Sequence, residues 1–140
     1  MRKTSMFLGL LAAVAFCSGG QTAMMSYKAS LNGASEVPPT QSKGTGSAQI
    51  NADNANNQVS WRVEYSGLSG PATGAHIHCG APAGGNAGVA VNFGSNLASP
   101  ISGSGTMTPA QMADLQGGKC YVNVHTDANK GGEIRGQLMP

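Results

Sequence analysis

Apolar and polar residues alternate along most of the chain, and this period of two is typical of β-strands that bury one face. The clearest run is 58–65, in which Val59, Trp61, Val63 and Tyr65 share one face and polar or charged residues fall between them. Shorter runs of the same kind are bounded by clusters of turn-forming Gly, Pro, Asn and Asp. The pattern predicts strands at residues 27–31, 46–51, 58–65, 74–79, 89–93, 101–106, 120–126 and 133–138.

One stretch departs from this period and predicts a short helix near residues 109–115. Thr108 is a suitable N-cap, and Gln111 three residues later completes a capping box. Pro109 fits the first helical position, and Gly117 follows the last turn. The whole pattern therefore predicts an all-β domain, an antiparallel Greek-key β-sandwich or flattened barrel of seven to eight strands with one short helix.

The last predicted strand alternates apolar and charged residues. Ile134 and Leu138 are expected to point into the core, so Glu133 and Arg135 fall on the opposite face. Glu64 could pair with Arg135, or Arg62 with Glu133, across strands. The alternative is a solvated sheet face, where such pairs add little stability.

All three histidines lie in two short runs, 74–80 and 120–126. In the first run His76 and His78 share a face, whereas Cys79 falls on the other. In the second run Cys120 falls with valines, and His125 falls with Tyr121 and Asn123. The alternation therefore predicts cysteines among apolar side chains and histidines among polar ones.

The two runs could be antiparallel neighbours with Cys79 opposite Cys120. That register would place His76 opposite Asn123 and His125 one diagonal step away, about 7 Å, a span that two imidazoles can close on one ion. The alternative is that the two cysteines belong to facing sheets.

The N-terminal residues indicate where the protein is located. Arg2 and Lys3 precede an apolar run too short for the about 20 residues of a membrane span, and small residues follow. Residues 1–23 are interpreted as a signal peptide, which leaves a domain at 24–140. Cys17 is expected to be removed with the signal, and a lipoprotein anchored at Cys17 is the alternative.

The remaining domain has two cysteines and no net charge. Cys79 and Cys120 are an even pair in an oxidising compartment, where a disulfide is the default. Of the 8 Lys and Arg residues, 2 lie in the signal, so the remaining domain has 6 basic and 6 acidic residues. A basic surface for nucleic acid is therefore not predicted.

The histidines predict a metal site. Three imidazoles with an open position suit Zn²⁺ or copper, so His76, His78 and His125 are the predicted ligands. Asp127, Asn123, Tyr121 or water could complete the coordination shell. The alternative is that the histidines form ordinary hydrogen bonds between neighbouring loops. The sequence contains no evident catalytic triad, carboxylate pair or cysteine nucleophile, and no catalytic residue is assigned.

The order of motifs resembles the CHRD domain, a module named from the animal protein chordin and common in exported bacterial proteins. The resemblance covers nearly all of the chain after the signal. Its most specific parts are Ala75-His76-Ile77-His78, Tyr121-Val122-Asn123-Val124-His125-Thr126 and Gly131-Gly132-Glu133-Ile134-Arg135-Gly136-Gln137-Leu138, and further matches lie at Leu31-Asn32-Gly33, Glu36-Val37-Pro38-Pro39 and Tyr65-Ser66-Gly67-Leu68.

The chain is also loosely similar to copper/zinc superoxide dismutase, a Greek-key sandwich with a His-x-His pair of copper ligands. By that similarity His76 and His78 match the pair and His125 matches a later copper ligand. The enzyme uses four histidines for copper and further ligands for zinc, whereas this chain has 3 histidines in all.

The sequence therefore predicts three alternative functions. The first is an exported, periplasmic or secreted metal-binding protein that stores or delivers copper, with zinc as the alternative ion. The second is a non-catalytic adhesion or scaffold module that binds an envelope protein or polysaccharide, as the chordin resemblance implies. The third is a dismutase-like copper oxidoreductase.

Overall fold

The structure, a computed structural model, describes residues 24–140. The predicted signal peptide at 1–23, including Cys17, lies outside this part of the chain. Within residues 24–140, no helix combines the length and the apolar character needed to cross a membrane.

Eight strands and one α-helix make up the domain. The strands are β1 (Met24–Asn32), β2 (Thr45–Asp53), β3 (Gln58–Ser66), β4 (Ala72–Cys79), β5 (Val89–Asn92), β6 (Ile101–Thr106), β7 (Cys120–Thr126) and β8 (Ile134–Gln137). A single 3₁₀ turn, Gly33–Ser35, follows β1, and helix α1 spans Pro109–Gln116.

The strands form one antiparallel sheet in the order β5-β4-β7-β8-β1-β2-β3-β6. The sheet curls until its two edges approach each other. Phe93, just after β5, stacks on Trp61 of β3 with ring centroids 4.7 Å apart. The structure thus confirms an all-β flattened barrel, closed at this seam by side-chain packing.

The core lies inside the curl and is formed by the apolar face of each strand. In β3, Val59, Trp61 and Val63 are buried as the alternation predicts. The largest fully buried apolar side chains include Tyr27, Leu31, Ile50, Ile77, Ile101 and Leu115.

Helix α1 begins and ends as its sequence predicts. The Thr108 side chain accepts from the Gln111 amide at 3.1 Å, and the Gln111 side chain accepts from the Thr108 amide at 2.9 Å. Met112 and Leu115 bury one side of the helix against the barrel. The helix therefore acts as a cap on the core.

The expectation for the charged face of the last strand is wrong. Glu133 and Arg135 are buried, with 0% and 2% of their surface exposed, because the loops 33–44, 80–88 and 127–132 contact this face of the sheet. Arg62 and Glu64 do not pair with them; they form an exposed ion pair on β3 at 2.6 Å. A polar layer therefore lies between the sheet and its loops.

Candidate metal centre

β4 and β7 are antiparallel neighbours and carry the three histidines. Their register sets Cys79 opposite Cys120 and His76 opposite Asn123, while His125 lies opposite Gly74. Cys79 and Cys120 form a disulfide with their Cα atoms 4.1 Å apart. The predicted bridge is confirmed, and both sulfurs lie at the core side of the sheet.

The three imidazoles meet on the other side of this strand pair. One potential ligand nitrogen from each of His76, His78 and His125 lies within 4.8 Å of the others. Because alternate residues of a strand share a face, His76 and His78 are side by side, and the register brings His125 against them.

Backbone carbonyls determine the tautomers of two of these rings. His78 Nδ1 lies 2.8 Å from the Ala87 carbonyl oxygen, and His125 Nδ1 lies 2.8 Å from that of Lys130. A carbonyl can only accept, so each Nδ1 carries the hydrogen. In the neutral rings both Nε2 atoms are therefore left with a free lone pair, as metal-binding histidines require.

These two lone pairs point at a third acceptor. The side-chain oxygen of Asn123 lies 3.0 Å from His78 Nε2 and 3.0 Å from His125 Nε2. With both rings neutral, each contact joins two acceptors and contains no hydrogen. The arrangement is unfavourable by itself and suits a cation placed among the three atoms.

His76 supplies a third nitrogen that could bind a metal ion. Its Nδ1 lies 3.1 Å from His125 Nε2, to which it can donate when protonated there. Burial, reinforced by the nearby His125 and His78 rings, lowers the pKa of His76 to about 4. The ring is therefore neutral at pH 7 and can offer a lone pair to a metal ion.

His78 is held in a stack. Its ring lies parallel to Tyr121 with centroids 4.8 Å apart, and the Arg135 guanidinium lies 3.4 Å from the Tyr121 ring centroid on β7. Burial lowers the pKa of His78; hydrogen bonds to Ala87 and Asn123 raise it, and the His125 and Arg135 charges lower it further. Burial thus favours the neutral imidazole.

A shallow cavity of about 360 Å³ opens beside His76 and His125. Asp127 and Lys130 also line this cavity, and Asp127 is exposed. Asp127 is outside the group of mutually close ligand atoms, so its role as a ligand stays a prediction. Asn123 is the additional group that contacts two of the histidines.

Several contributors to the site are not identified by the sequence. The carbonyl groups of Ala87 and Lys130 belong to Gly-rich loops, which carry no side-chain signal for this role. The alternation predicts a solvated face for Arg135, yet Arg135 donates to Asn86 and to the Gly85 carbonyl and so anchors the loop. Its position within the Gly-Gly-Glu-Ile-Arg-Gly-Gln motif is the available signal.

Comparison with known proteins identifies the family of the domain. The CHRD domain model matches residues 27–138. A search of curated proteins and a search of solved structures each returned no match. The likeness to copper/zinc superoxide dismutase thus stays a prediction. Because the match covers most of the chain and every strand of the barrel, this protein belongs to the CHRD domain family.

Proposed function

We propose that this protein is an exported metal-binding protein that holds a copper ion, or alternatively zinc, through His76, His78 and His125. One observation carries the proposal. In the neutral rings, His78 Nε2, His125 Nε2 and the Asn123 amide oxygen converge as three acceptors, and the His76 imidazole lies beside them. A bound cation would remove the repulsion among these acceptors.

The donor set favours copper over zinc. Imidazole nitrogen suits both ions, but for a given set of nitrogen and oxygen ligands Cu²⁺ binds more tightly than Zn²⁺. The Asn123 oxygen is a further potential ligand, and the open cavity beside His76 leaves room for an exchangeable one. Such a site suits storage, delivery or homeostasis of the ion.

Location outside the cytoplasm fits the same proposal. A disulfide between Cys79 and Cys120 persists in oxidising compartments. Together with the CHRD domain, it fits a periplasmic or extracellular protein.

The test is a titration of the purified protein with Cu(I), Cu(II) and Zn²⁺. We expect one equivalent of copper to bind. His76→Ala and His125→Ala should each weaken binding at least as much as the roughly 10–100-fold loss typical of outer-shell changes. Gln49→Ala is the control, because Gln49 is exposed on β2. Absence of binding, or equal affinity in all variants, would reject the site.

A further inference from the structure

We propose that Glu36 is a positioning residue for the metal site: it holds the Asn123 amide so that the oxygen, not the nitrogen, faces His78 and His125. The inference rests on the proposed metal-binding function and deepens it. Glu36 belongs to the loop after the 3₁₀ turn and touches none of the histidines through a hydrogen bond in residues 24–140.

The two ends of the Asn123 amide meet different neighbours. Its oxygen lies 3.0 Å from both imidazole Nε2 atoms. Its nitrogen lies near the Glu36 carboxyl group beneath Gly132. A methyl group at Gly132 would lie 2.3 Å from Glu36 Oε1 and 2.6 Å from Asn123 Nδ2, so both atoms border one small space.

Both groups are removed from water, with 5% of Glu36 and 3% of Asn123 exposed. Among residues 24–140, Glu36 Oε1 makes no hydrogen bond of ordinary geometry, and the Asn123 side chain is the neighbouring donor that acts on it. Burial raises the pKa of Glu36 to about 7, against the Arg135 charge and the Asn123 hydrogen bond, which lower it. In the ionised form the carboxylate can only accept, and the amide nitrogen can only donate. The ionised form therefore favours one orientation of the amide.

Without Glu36 the preference would reverse. The Nε2 lone pair of His78 would be better satisfied by an amide N–H than by an amide oxygen. In a flipped Asn123, the N–H group would donate towards the metal position. The amide oxygen would face the space that the carboxylate had filled. Glu36 thus keeps the Asn123 N–H group away from His78 Nε2, which keeps that lone pair available for a metal ion.

The arrangement has local support. The Glu36 amide donates to the Gly33 carbonyl at 3.2 Å, which fixes the residue at the end of the turn. The Arg135 guanidinium lies close enough to act on Glu36 electrostatically. The loop therefore presents the carboxyl group to Asn123 in a defined direction.

Three variants separate orientation from charge. Glu36→Ala removes the acceptor, Glu36→Gln keeps an acceptor oxygen but removes the charge, and Glu64→Ala removes an exposed acid as a control. For Cu(II) we expect a roughly 10–100-fold loss of affinity in Glu36→Ala, as for other outer-shell partners. Glu36→Gln should stay within a few-fold of the parent, and Glu64→Ala should match it.

A second readout needs no metal. Imidazole ¹⁵N spectra of the metal-free protein should show His78 Nε2 unprotonated and without a donor in the parent and in Glu36→Gln. In Glu36→Ala the same nitrogen should shift as it accepts from Asn123. Equal loss of affinity in Glu36→Ala and Glu36→Gln, or unchanged His78 spectra in both, would overturn the positioning role. If the parent binds no metal, the proposed function fails while the spectra still decide the orientation of Asn123.

Discussion

Gly132 shows how little space the polar layer leaves around a single residue. Its backbone has φ +124°, a conformation that side chains rarely adopt. A Cβ there would also collide with Glu36 and Asn123. The neighbouring Gly131 is exposed, and a Cβ added to it would meet no atom within 4 Å.

Replacing these two glycines tests the layer directly. We expect Gly132→Ala to lower the free energy of unfolding by about 2–4 kcal/mol, since backbone strain and overpacking add together. Copper affinity should fall with it, because Asn123 is displaced. Gly131→Ala should stay within about 0.5 kcal/mol of the parent in urea denaturation. Equal stability of the two variants would contradict the packing described for Gly132.

Glu133 is a second residue whose role is defined by its surroundings. Its carboxylate accepts from Ser42, Thr126 and Asn129 at 2.8, 2.7 and 2.9 Å, and from the amide and hydroxyl of Ser69. Burial alone would raise the pKa of Glu133, but hydrogen bonds led by those from Ser69 and Thr126 lower it to about 2. One anion therefore ties three loops to the sheet.

The stability supplied by Glu133 depends on pH in a defined direction. The folded pKa lies below the ordinary value of 4.5, so the contribution is complete above about pH 5 and is lost as the pH falls towards 2. Glu133→Gln should cost about 1.5–3 kcal/mol at pH 7, the range for hydrogen bonds to a charged group. In urea denaturation its difference from the parent should shrink between pH 5 and pH 2. A difference that grows over that interval would contradict this assignment, and Glu64→Gln serves as the exposed control.

At the scale of elements, the β4–β7 pair joins the core to the candidate metal centre. The disulfide lies on the apolar side of the pair, and the histidines lie on the polar side. Because Cys79 is opposite Cys120, the covalent bond holds the strands in the register that sets His76 against Asn123. A slip of β4 by one residue against β7 would move His76 and His78 to the face opposite His125.

Removing the disulfide should therefore weaken both stability and binding. The bridge spans a separation of 41 residues, for which the chain-entropy model gives about 3–4 kcal/mol. Cys79→Ser/Cys120→Ser should lower the melting temperature accordingly. Its copper affinity should fall because the ligands are less preorganised, although each ligand is still present. Thiol counting on the unfolded, unreduced protein checks the premise, and two free thiols would disprove it.

At the scale of the whole molecule, the barrel is closed by packing at the seam between its edge strands. Phe93 is 7% exposed against Trp61, and Val91 of β5 approaches Gly105 of β6. A Cβ at Gly103 would lie 2.6 Å from the Trp61 ring, so the absence of a side chain there leaves room for the indole at the seam. The apolar interior therefore depends on a few large contacts there.

Phe93→Ala should lower the free energy of unfolding by about 3 kcal/mol, because it leaves a cavity over Trp61. Val89→Ala, in the edge strand that precedes Phe93 but 53% exposed, should change it by less than about 0.5 kcal/mol. Chemical denaturation followed by Trp61 fluorescence measures both. Similar values for the two variants would show that the seam contributes little to closure.

Local patterns account for much of this molecule. The period of two assigns His76 and His78 to one face and Cys79 to the other, and the capping residues Thr108 and Gln111 locate the helix. These inferences succeed because side-chain direction and helix termini depend on residues a few positions apart.

Tertiary structure decided what covers each face. Glu133 and Arg135 alternate with apolar residues as surface side chains do, yet loops distant in sequence bury them. The roles of Glu36, Gly132 and the Ala87 and Lys130 carbonyls depend on the same long-range contacts. The position of a residue in the alternating pattern specifies the side of the strand on which it lies. Only the folded chain decides whether water or other protein groups cover that side.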